Sequence, residues 1–370
     1  MKNIKKFFLQ YRKLHIWLFS VLGVLLALRL CRGNRAWMNA LAEHVTIPLR
    51  RELGELCYRV DFSVMEVIYV LAVLLGLGYL AWSIMAVLRA RGRRGQRAYG
   101  AVLGAVCAFV TVYTLFFFLW GLSFWTDSFQ DKSGIYAQPV APEDLKSVTA
   151  YFAEQTALSA EAVPRDENGI FAVSWQEILA DSPYVYDALE EEFPFLAFED
   201  KGVKPMFFSR LMSRMDFTGF YCAYTGESNV NIDSPACLLP STAAHELAHQ
   251  RGIASEQECN FLAVLASTTS GYPAYTYSGW LMGYIYLGNA LYSLDPDAYW
   301  AIRETLPETV RADLQYNNAY WAQFRDSAVK QVSTRVYDSM LKAYGDERGI
   351  QSYGTVVDLL VAYYKRRNSP

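Results

Sequence analysis

Residues 62–88 read FSVMEVIYVLAVLLGLGYLAWSIMAVL, an apolar stretch with a single charged side chain, Glu66. About 20 mostly apolar residues suffice for a helix to cross a lipid bilayer. Two more apolar runs lie on either side, at about residues 15–30 and 99–120. The first run has a basic flank like that of a signal peptide, but arginines follow it where a cleavage site would need small residues. The sequence therefore predicts three transmembrane helices within residues 1–125, the first of them an uncleaved anchor.

The two parts of the chain carry opposite charges. Residues 1–125 hold 16 Lys and Arg against 5 Asp and Glu, a net charge of +11, and residues 126–370 hold 18 against 32, a net charge of −14. The overall charge of −3 gives no reason to expect nucleic-acid binding. Basic residues concentrate in the N-terminal tail and in residues 89–97 (RARGRRGQR). Because such loops stay in the cytoplasm, we expect a cytoplasmic N-terminus and an extracytoplasmic domain at residues 126–370.

The second part of the chain has mainly helical patterning. Helices are predicted over residues 142–157, 174–192, 242–251, 255–269, 276–293, much of 307–343, and 353–365. Residues 217–232 (FTGFYCAYTGESNVNI) are rich in aromatic residues with interspersed glycines, which predicts one or two strands. Within them, residues 227–231 form either an edge strand that pairs with an extended substrate or a surface turn.

The motif with the clearest chemistry is H-E-x-x-H, in residues 241–252 (STAAHELAHQRG). Side chains four apart share one face of a helix, so His245 and His249 can bind one metal ion. Glu246 lies beside them, where its carboxylate can accept a proton from water. Residues 126–370 contain no other histidine. The pattern is typical of a hydrolytic zinc site on a short helix outside the membrane.

A third ligand must be a carboxylate, because no histidine remains for it. The next predicted helix opens with SEQECNF at residues 255–261, and Glu256 and Glu258 both lie in its first turn. Ser255 and Glu258 fit a capping box, which gives Glu258 a structural role. Glu256 and Asn260 share a face, so one can bind the metal while the other holds a ligand imidazole. The sequence favours Glu256 as the ligand and leaves Glu258 open.

This arrangement resembles the gluzincin metallopeptidases, in which H-E-x-x-H is followed by a ligand Glu and a supporting Asp in E-x-x-x-D on a second helix. The matching residues here are Glu256 and Asn260, so an amide replaces the supporting acid. Only six residues separate His249 from Glu256, far fewer than in thermolysin-like enzymes. The resemblance implies a Zn²⁺-dependent peptidase with His245, His249 and Glu256 as ligands and Glu246 as general base.

Most of the chain also resembles an uncharacterised bacterial family with three N-terminal membrane spans and an outward-facing domain expected to be a zinc peptidase. The matching stretches are residues 60–63, 120–124, 224–231, 245–261, 277–279, 341–345 and 352–353. The resemblance implies a mainly α fold, three transmembrane helices followed by a zincin-like α(+β) domain, in a bacterial plasma membrane. It implies the lipid bilayer and a peptide or protein substrate as partners, and leaves the substrate and the oligomeric state open.

Three further assignments remain alternatives at this point. Tyr277, on the element after the ligand helix, is a candidate oxyanion stabiliser, with core packing as its other role. Cys222 and Cys237 lie on the same side of the membrane and can be considered for a disulfide. The alternative functions are a catalytically silent metal-binding envelope protein with a sensing, binding or scaffolding role, and a structural protein in which the motif helix is merely packed.

Overall fold

The computed structural model describes residues 9–199, 201–325 and 353–368, and five positions between 326 and 352. The helix predicted over much of 307–343 is therefore described at residues 307–325 and at those five positions, and residues 341–345 lie outside the described part. The chain forms two compact units. The first comprises Met1–Arg51, Val64–Thr126 and Ala223–Thr225, and the second comprises Glu52–Ser63, Asp127–Cys222 and Gly226–Pro370. The predicted fold class is confirmed, because the chain is mainly helical and begins with three apolar helices.

The first unit is built on three long apolar helices, α1 (Arg12–Cys31), α4 (Val64–Arg89) and α5 (Arg94–Leu119). Among the described residues, these three helices have the length and composition needed to cross a membrane. Between α1 and α4 lie α2 (Arg35–Leu41), a π-helical turn (Ala42–Thr46) and α3 (Ile47–Cys57). Helices α1 and α5 pack together, and Trp17 Nε1 donates a hydrogen bond of 2.9 Å to Thr111 Oγ1.

The second unit contains eleven described helices. They are α6 (Phe129–Ser133), α7 (Pro142–Ala160), α8 (Trp175–Asp181), α9 (Asp187–Glu192), α10 (Ser209–Met215), α11 (Leu239–Gln250), α12 (Glu256–Thr269), α13 (Pro273–Leu294), α14 (Pro296–Glu304), α15 (Glu308–Ala322) and α16 (Tyr353–Asn368). The single helix predicted over 174–192 is wrong, since it is divided into α8, a 3₁₀ turn (Ser182–Tyr184) and α9. Pro183 lies in that turn, and a proline cannot donate the hydrogen bond that would continue α8.

The core of the second unit lies between α13 and the helices α7, α11 and α12, which all pack against it. Phe152 on α7 meets Trp280 on α13 and Tyr364 on α16 edge to face, with ring centroids 4.9 Å and 4.8 Å apart. Aromatic pairs of this kind stabilise a core beyond the area that they bury, by about 1 kcal/mol each. The α11 side chains Ala244 and Leu247 are fully buried. The motif helix is therefore held inside the core of the unit.

A small three-stranded sheet lies beside α11. Its strands are β1 (Lys204–Pro205), β2 (Gly219–Cys222) and β3 (Glu227–Val230), in the order β1-β3-β2. Strand β3 pairs in parallel with β1 and antiparallel with β2. The predicted strands within 217–232 are confirmed, but both alternatives for residues 227–231 are wrong, because they form neither an edge strand nor a surface turn. Strand β3 is central because the two-residue strand β1, too short to leave a sequence pattern, covers its other side.

The segment Glu52–Ser63, between the first two apolar helices, belongs to the second unit. The Lys204 Nζ atom on β1 donates to the carbonyl oxygens of Cys57 and Phe62, each at 2.9 Å, and pairs with Glu227 at 2.7 Å. The Glu227 side chain has no exposed surface. The predicted boundary near residue 125 lies beside the boundary of the units at Thr126, but the sequence reading placed Glu52–Ser63 with the membrane part.

Candidate metal centre

The two histidines of the motif project from one face of α11. Their ring centroids lie 4.8 Å apart and the ring planes are nearly perpendicular, at 84°. Helix α11 stops soon after His249 because Gly252 takes a positive φ of 93°, a left-handed conformation that favours glycine. The chain then turns directly into α12, which explains how only six residues suffice between His249 and Glu256.

Each imidazole is oriented through its Nδ1 atom. His245 Nδ1 lies 2.8 Å from Asn260 Oδ1, and His249 Nδ1 lies 2.8 Å from the carbonyl oxygen of Ile253. Because both partners are oxygen acceptors, each Nδ1 carries a hydrogen, so Nε2 is the nitrogen that can bind a metal ion once it has released its proton. Asn260 thus occupies the supporting position that its spacing from Glu256 predicts.

Glu256 reaches both Nε2 atoms from the first turn of α12. Its Oε2 atom lies 3.2 Å from His245 Nε2 and its Oε1 atom lies 3.4 Å from His249 Nε2. The ligand atoms of the three residues all lie within 4.8 Å of one another. We call these three residues, His245, His249 and Glu256, the ligand triad.

Glu258, the alternative third ligand, points to a different part of the unit. Its carboxylate accepts hydrogen bonds from the backbone of Phe129 at 2.9 Å and of Gln130 at 3.3 Å, and a third from the Gln130 side chain. These groups lie at the start of α6, where a negative charge stabilises the helix. The structure therefore leaves Glu256 as the carboxylate of the cluster.

The ligand triad fits a zinc ion by its chemistry and its spacing. Two imidazoles and one carboxylate suit zinc better than the all-oxygen sites of calcium and magnesium. Ligand atoms about 2.0–2.1 Å from a tetrahedral metal lie about 3.3 Å from one another. The separations of 3.2 Å and 3.4 Å between Glu256 and the two histidines agree with that value. Three protein ligands leave a fourth position for water or substrate, as hydrolytic zinc sites require.

The residues of the ligand triad stabilise one another's ionised forms. Burial alone would raise the pKa of Glu256, but His249 and His245 outweigh it and hold the pKa well below its ordinary value. Burial opposes the charged form of His249, but the neighbouring Cys259 and Glu256 raise its pKa well above the usual range. Glu256 is consequently ionised near neutral pH, as a metal ligand must be.

Glu246 is buried next to the triad. Burial raises the pKa of its carboxyl group to about 7, although His245 and His249 act in the opposite direction. The backbone of Tyr221 donates a hydrogen bond to this carboxyl group. In the described part of the chain, the Oε2 atom finds no hydrogen-bond partner. A Cβ atom at Gly219 would overlap the Glu246 side chain, so any other residue at position 219 would force the carboxyl group away from its place against β2.

The structure gives Tyr277 a packing role instead of the proposed catalytic one. Its side chain has no exposed surface, its hydroxyl donates to Asp313, and its ring stacks on Phe171. A hydroxyl committed to a buried carboxylate does not suit oxyanion stabilisation. Cys222 and Cys237 are both buried thiols, so the disulfide considered from the sequence is not formed.

Sequence reasoning missed Tyr58, which supports the motif helix from the segment before the second apolar helix. Its hydroxyl accepts hydrogen bonds from the backbone of Ser228 at 3.1 Å and from Gln250 Nε2 at 3.2 Å. Ser228 Oγ in turn donates to the carbonyl oxygen of Glu246 at 2.9 Å. No local pattern marks Tyr58, because its partners lie 170 and 192 positions further along the chain.

Fold and site together define a mainly helical protein with three apolar helices and a second unit that carries a His–His–Glu cluster. Residues 47–361 match a family described as a protein of unknown function (DUF3810), and the chain belongs to that family. No curated protein and no solved structure matches the chain.

Proposed function

We propose that the protein is a membrane-anchored, zinc-dependent peptidase. The observation that carries this proposal is the position of Glu246, which follows His245 on α11 and whose buried carboxyl group interacts electrostatically with all three residues of the ligand triad. In the metal-free protein burial raises the pKa of this carboxyl group to about 7, and perturbed carboxyl groups of this kind are found at catalytic sites. Burying a carboxyl group in this way destabilises the folded protein, and a role in an active site would explain why Glu246 is buried.

Each residue has a distinct part in the proposed reaction. His245, His249 and Glu256 would hold the ion, and when bound a zinc ion lowers the pKa of water and polarises a peptide carbonyl. Asn260 keeps the His245 ring in the orientation that presents Nε2. Glu246 takes the proton from the attacking water and returns it to the leaving amine.

The sheet offers a surface on which a substrate can bind. Among the described strands, β2 is the edge next to Glu246, and its Tyr221 backbone already bonds to that carboxyl group. An extended peptide can add to such an edge as a further strand. We therefore expect the substrate to be an unfolded or extended peptide segment, with its scissile bond next to Glu246.

The proposed location follows from charge and hydropathy. The three apolar helices are consistent with membrane anchoring. The basic N-terminal tail and residues 89–97 favour the cytoplasmic side of a bacterial plasma membrane. In this arrangement the unit with the ligand triad works outside the cytoplasm.

The test is hydrolysis of a mixed peptide library by the full-length protein in lipid nanodiscs, supplied with zinc. We expect cleavage by the wild type and by Glu304→Gln, a surface control, because Glu304 is exposed at the end of α14. We expect Glu246→Gln to lose roughly 100-fold or more in rate while it keeps its zinc. Equal cleavage by Glu246→Gln and wild type would contradict the proposal. Zinc binding with no cleavage by any variant would favour a silent binding role.

A further inference from the structure

The residue after each histidine of the ligand triad is bonded to the small sheet. Glu246 follows His245, and its carbonyl oxygen accepts a hydrogen bond of 2.9 Å from Ser228 Oγ on β3. Gln250 follows His249, and its Nε2 atom donates to the same Ser228 Oγ at 3.4 Å. Ser228 has no exposed surface, and Gln250 is only 4% exposed. One serine therefore holds α11 at two points, each of them next to a histidine of the triad.

Tyr58, the residue after α3, completes this network. Its hydroxyl oxygen accepts hydrogen bonds from the Ser228 backbone at 3.1 Å and from Gln250 Nε2 at 3.2 Å. The Lys204 Nζ atom lies 4.8 Å from the centroid of the tyrosine ring, within the range of a cation–π interaction. The same ammonium group donates to the carbonyl oxygen of Cys57, the residue before Tyr58. The ring is thus held in place while its hydroxyl group reaches both β3 and the motif helix.

Loss of the Tyr58 hydroxyl would act on the turn of α11 that carries His249. The Ser228 N–H group and the Gln250 amide would each lose an acceptor at a buried position, which is unfavourable unless the chain shifts. A shift of this last turn moves the His249 imidazole relative to Glu256, which lies on a different helix, α12. Metal affinity depends on such spacing, because an ion requires its ligands at fixed distances and angles.

We propose that Tyr58 is a positioning residue for the metal centre and that it raises the zinc affinity of the ligand triad through Ser228 and Gln250. This role rests on the metal centre of the proposed function and does not require peptidase activity. Tyr58 precedes Gln250 by 192 positions. The segment that leads into α4 is therefore part of the support of the metal centre.

The test compares the zinc affinities of full-length variants in lipid nanodiscs by competition with a chelating dye. Tyr58→Phe removes the hydroxyl group and keeps the ring. Tyr275→Phe is the matched control, because the Tyr275 hydroxyl is also buried but bonds to the carbonyl oxygen of Ile178 on α8. We expect the zinc affinity of Tyr58→Phe to fall about 10-fold, as on the loss of other groups that support metal ligands, and that of Tyr275→Phe to stay unchanged.

Two further measurements separate positioning from a general loss of stability. In the double variant Tyr58→Phe with Ser228→Ala, the loss of affinity should be smaller than the product of the two single losses, because both changes act on one network. Cobalt accepts the same kinds of ligand as zinc and absorbs visible light according to its coordination geometry. Its spectrum should change in Tyr58→Phe and stay as in the wild type in Tyr275→Phe.

The possible outcomes distinguish this role from the metal centre itself. An unchanged zinc affinity and cobalt spectrum in Tyr58→Phe would overturn the role of Tyr58 and leave the metal centre intact. Equal losses in Tyr58→Phe and Tyr275→Phe would also overturn it, because general loosening would explain both. A wild type that binds neither metal would overturn the metal centre and the role of Tyr58 together. If Tyr58→Phe does not fold, Ser228→Ala decides, and wild-type affinity in that variant would count against the network.

Discussion

Glu246 is the residue of the site whose burial is hardest to explain by folding alone. Only 4% of it is exposed, and one of its carboxylate oxygens has no hydrogen-bond partner among the described residues. An ionised carboxylate in such a place destabilises the folded protein, which is why burial raises its pKa to about 7. We attribute the unfavourable burial of Glu246 to its proposed role in proton transfer.

Replacing Glu246 with glutamine should therefore stabilise the metal-free protein in a pH-dependent way. The folded state binds the proton more tightly than the unfolded state, so stability falls as the pH rises from about 4.5 through about 7. A shift of this size corresponds to about 3 kcal/mol above that range. Glu246→Gln removes the penalty, so it should be more stable than wild type at about pH 8 and similar to it at about pH 5.

Denaturant unfolding of metal-free protein at the two pH values checks this prediction, with Glu304→Gln as the surface control. A Glu246→Gln variant that is no more stable than wild type at about pH 8 would show that the buried carboxyl group is not strained in this way.

Asn260 is the second residue with a direct test. In Asn260→Ala the His245 ring loses its acceptor, and we expect the zinc affinity to fall by about 10- to 100-fold. Asn260→Asp keeps an acceptor and adds a charge, so it should bind zinc at least as tightly as wild type. Competition with a chelating dye measures both affinities, with the exposed Asn289→Ala as control. An unchanged affinity in Asn260→Ala would remove Asn260 from the site.

The spacing of residues explains which parts of the site the sequence could predict. His245, His249, Glu256 and Asn260 stand at helical intervals on two helices, and a periodic pattern can be read without a structure. Gly219 contributes only through the absence of a side chain, which becomes meaningful when Glu246 is seen against β2. Such contacts join distant parts of the chain and leave no local pattern.

At the level of elements, the segment Glu52–Ser63 and the small sheet behave as parts of one structure. The buried ion pair of Lys204 and Glu227 joins β1 to β3, and the same lysine holds two carbonyl oxygens of the segment. Tyr58, from the middle of that segment, bonds to β3 and to Gln250 at the end of the motif helix. A fragment that starts at residue 126 lacks these contacts, so experiments on the site require the full chain.

Lys204→Met should destabilise the protein by about 3–5 kcal/mol, because it leaves Glu227 buried without its partner. The double variant Lys204→Met with Glu227→Gln should recover part of that loss, since no unpaired charge remains. Lys201→Met is the matched control, because its ion pair with Glu55 is partly exposed and worth at most about 1 kcal/mol.

Denaturant unfolding of the full chain measures all three variants. A double variant as unstable as Lys204→Met would mean that the carbonyl contacts of Lys204, and not the buried charge of Glu227, account for the loss.

The helices and strands also show which parts of the fold cannot be predicted from local sequence patterns. Helix α7 and the two strands β2 and β3 follow from local composition, and the structure contains them. Strand β1 has two residues and pairs with a strand more than 20 positions away, so no local sequence pattern predicts it. Predicting the division between α8 and α9 would have required giving Pro183 more weight than the helical pattern of the residues around it.

At the scale of the whole molecule, the chain combines a basic set of apolar helices with an acidic second unit. Hydropathy fixes the three apolar helices by length and composition. It does not fix which side of the membrane each unit occupies, which depends on the distribution of basic residues in the loops.

The charge distribution predicts that both the N-terminus and residues 89–97 face the cytoplasm and that the C-terminus lies outside. A cysteine placed at exposed Leu158 should react with a membrane-impermeant thiol reagent in intact cells, with Cys31→Ser and Cys57→Ser in the background. A cysteine at Arg93 should react only after the cells are opened. The reverse pattern would refute the orientation and place the ligand triad in the cytoplasm.

We propose that the ligand triad holds a zinc ion, and the metal content of the purified full-length protein is the decisive measurement. After loading with zinc and removal of the excess, elemental analysis should find one zinc per chain in the wild type. The same content is expected in Glu258→Gln, whose carboxylate caps α6 instead of joining the triad. The double variant His245→Ala with His249→Ala should bind none. A wild type without zinc, or a double variant that retains it, would show that these residues do not form a zinc site.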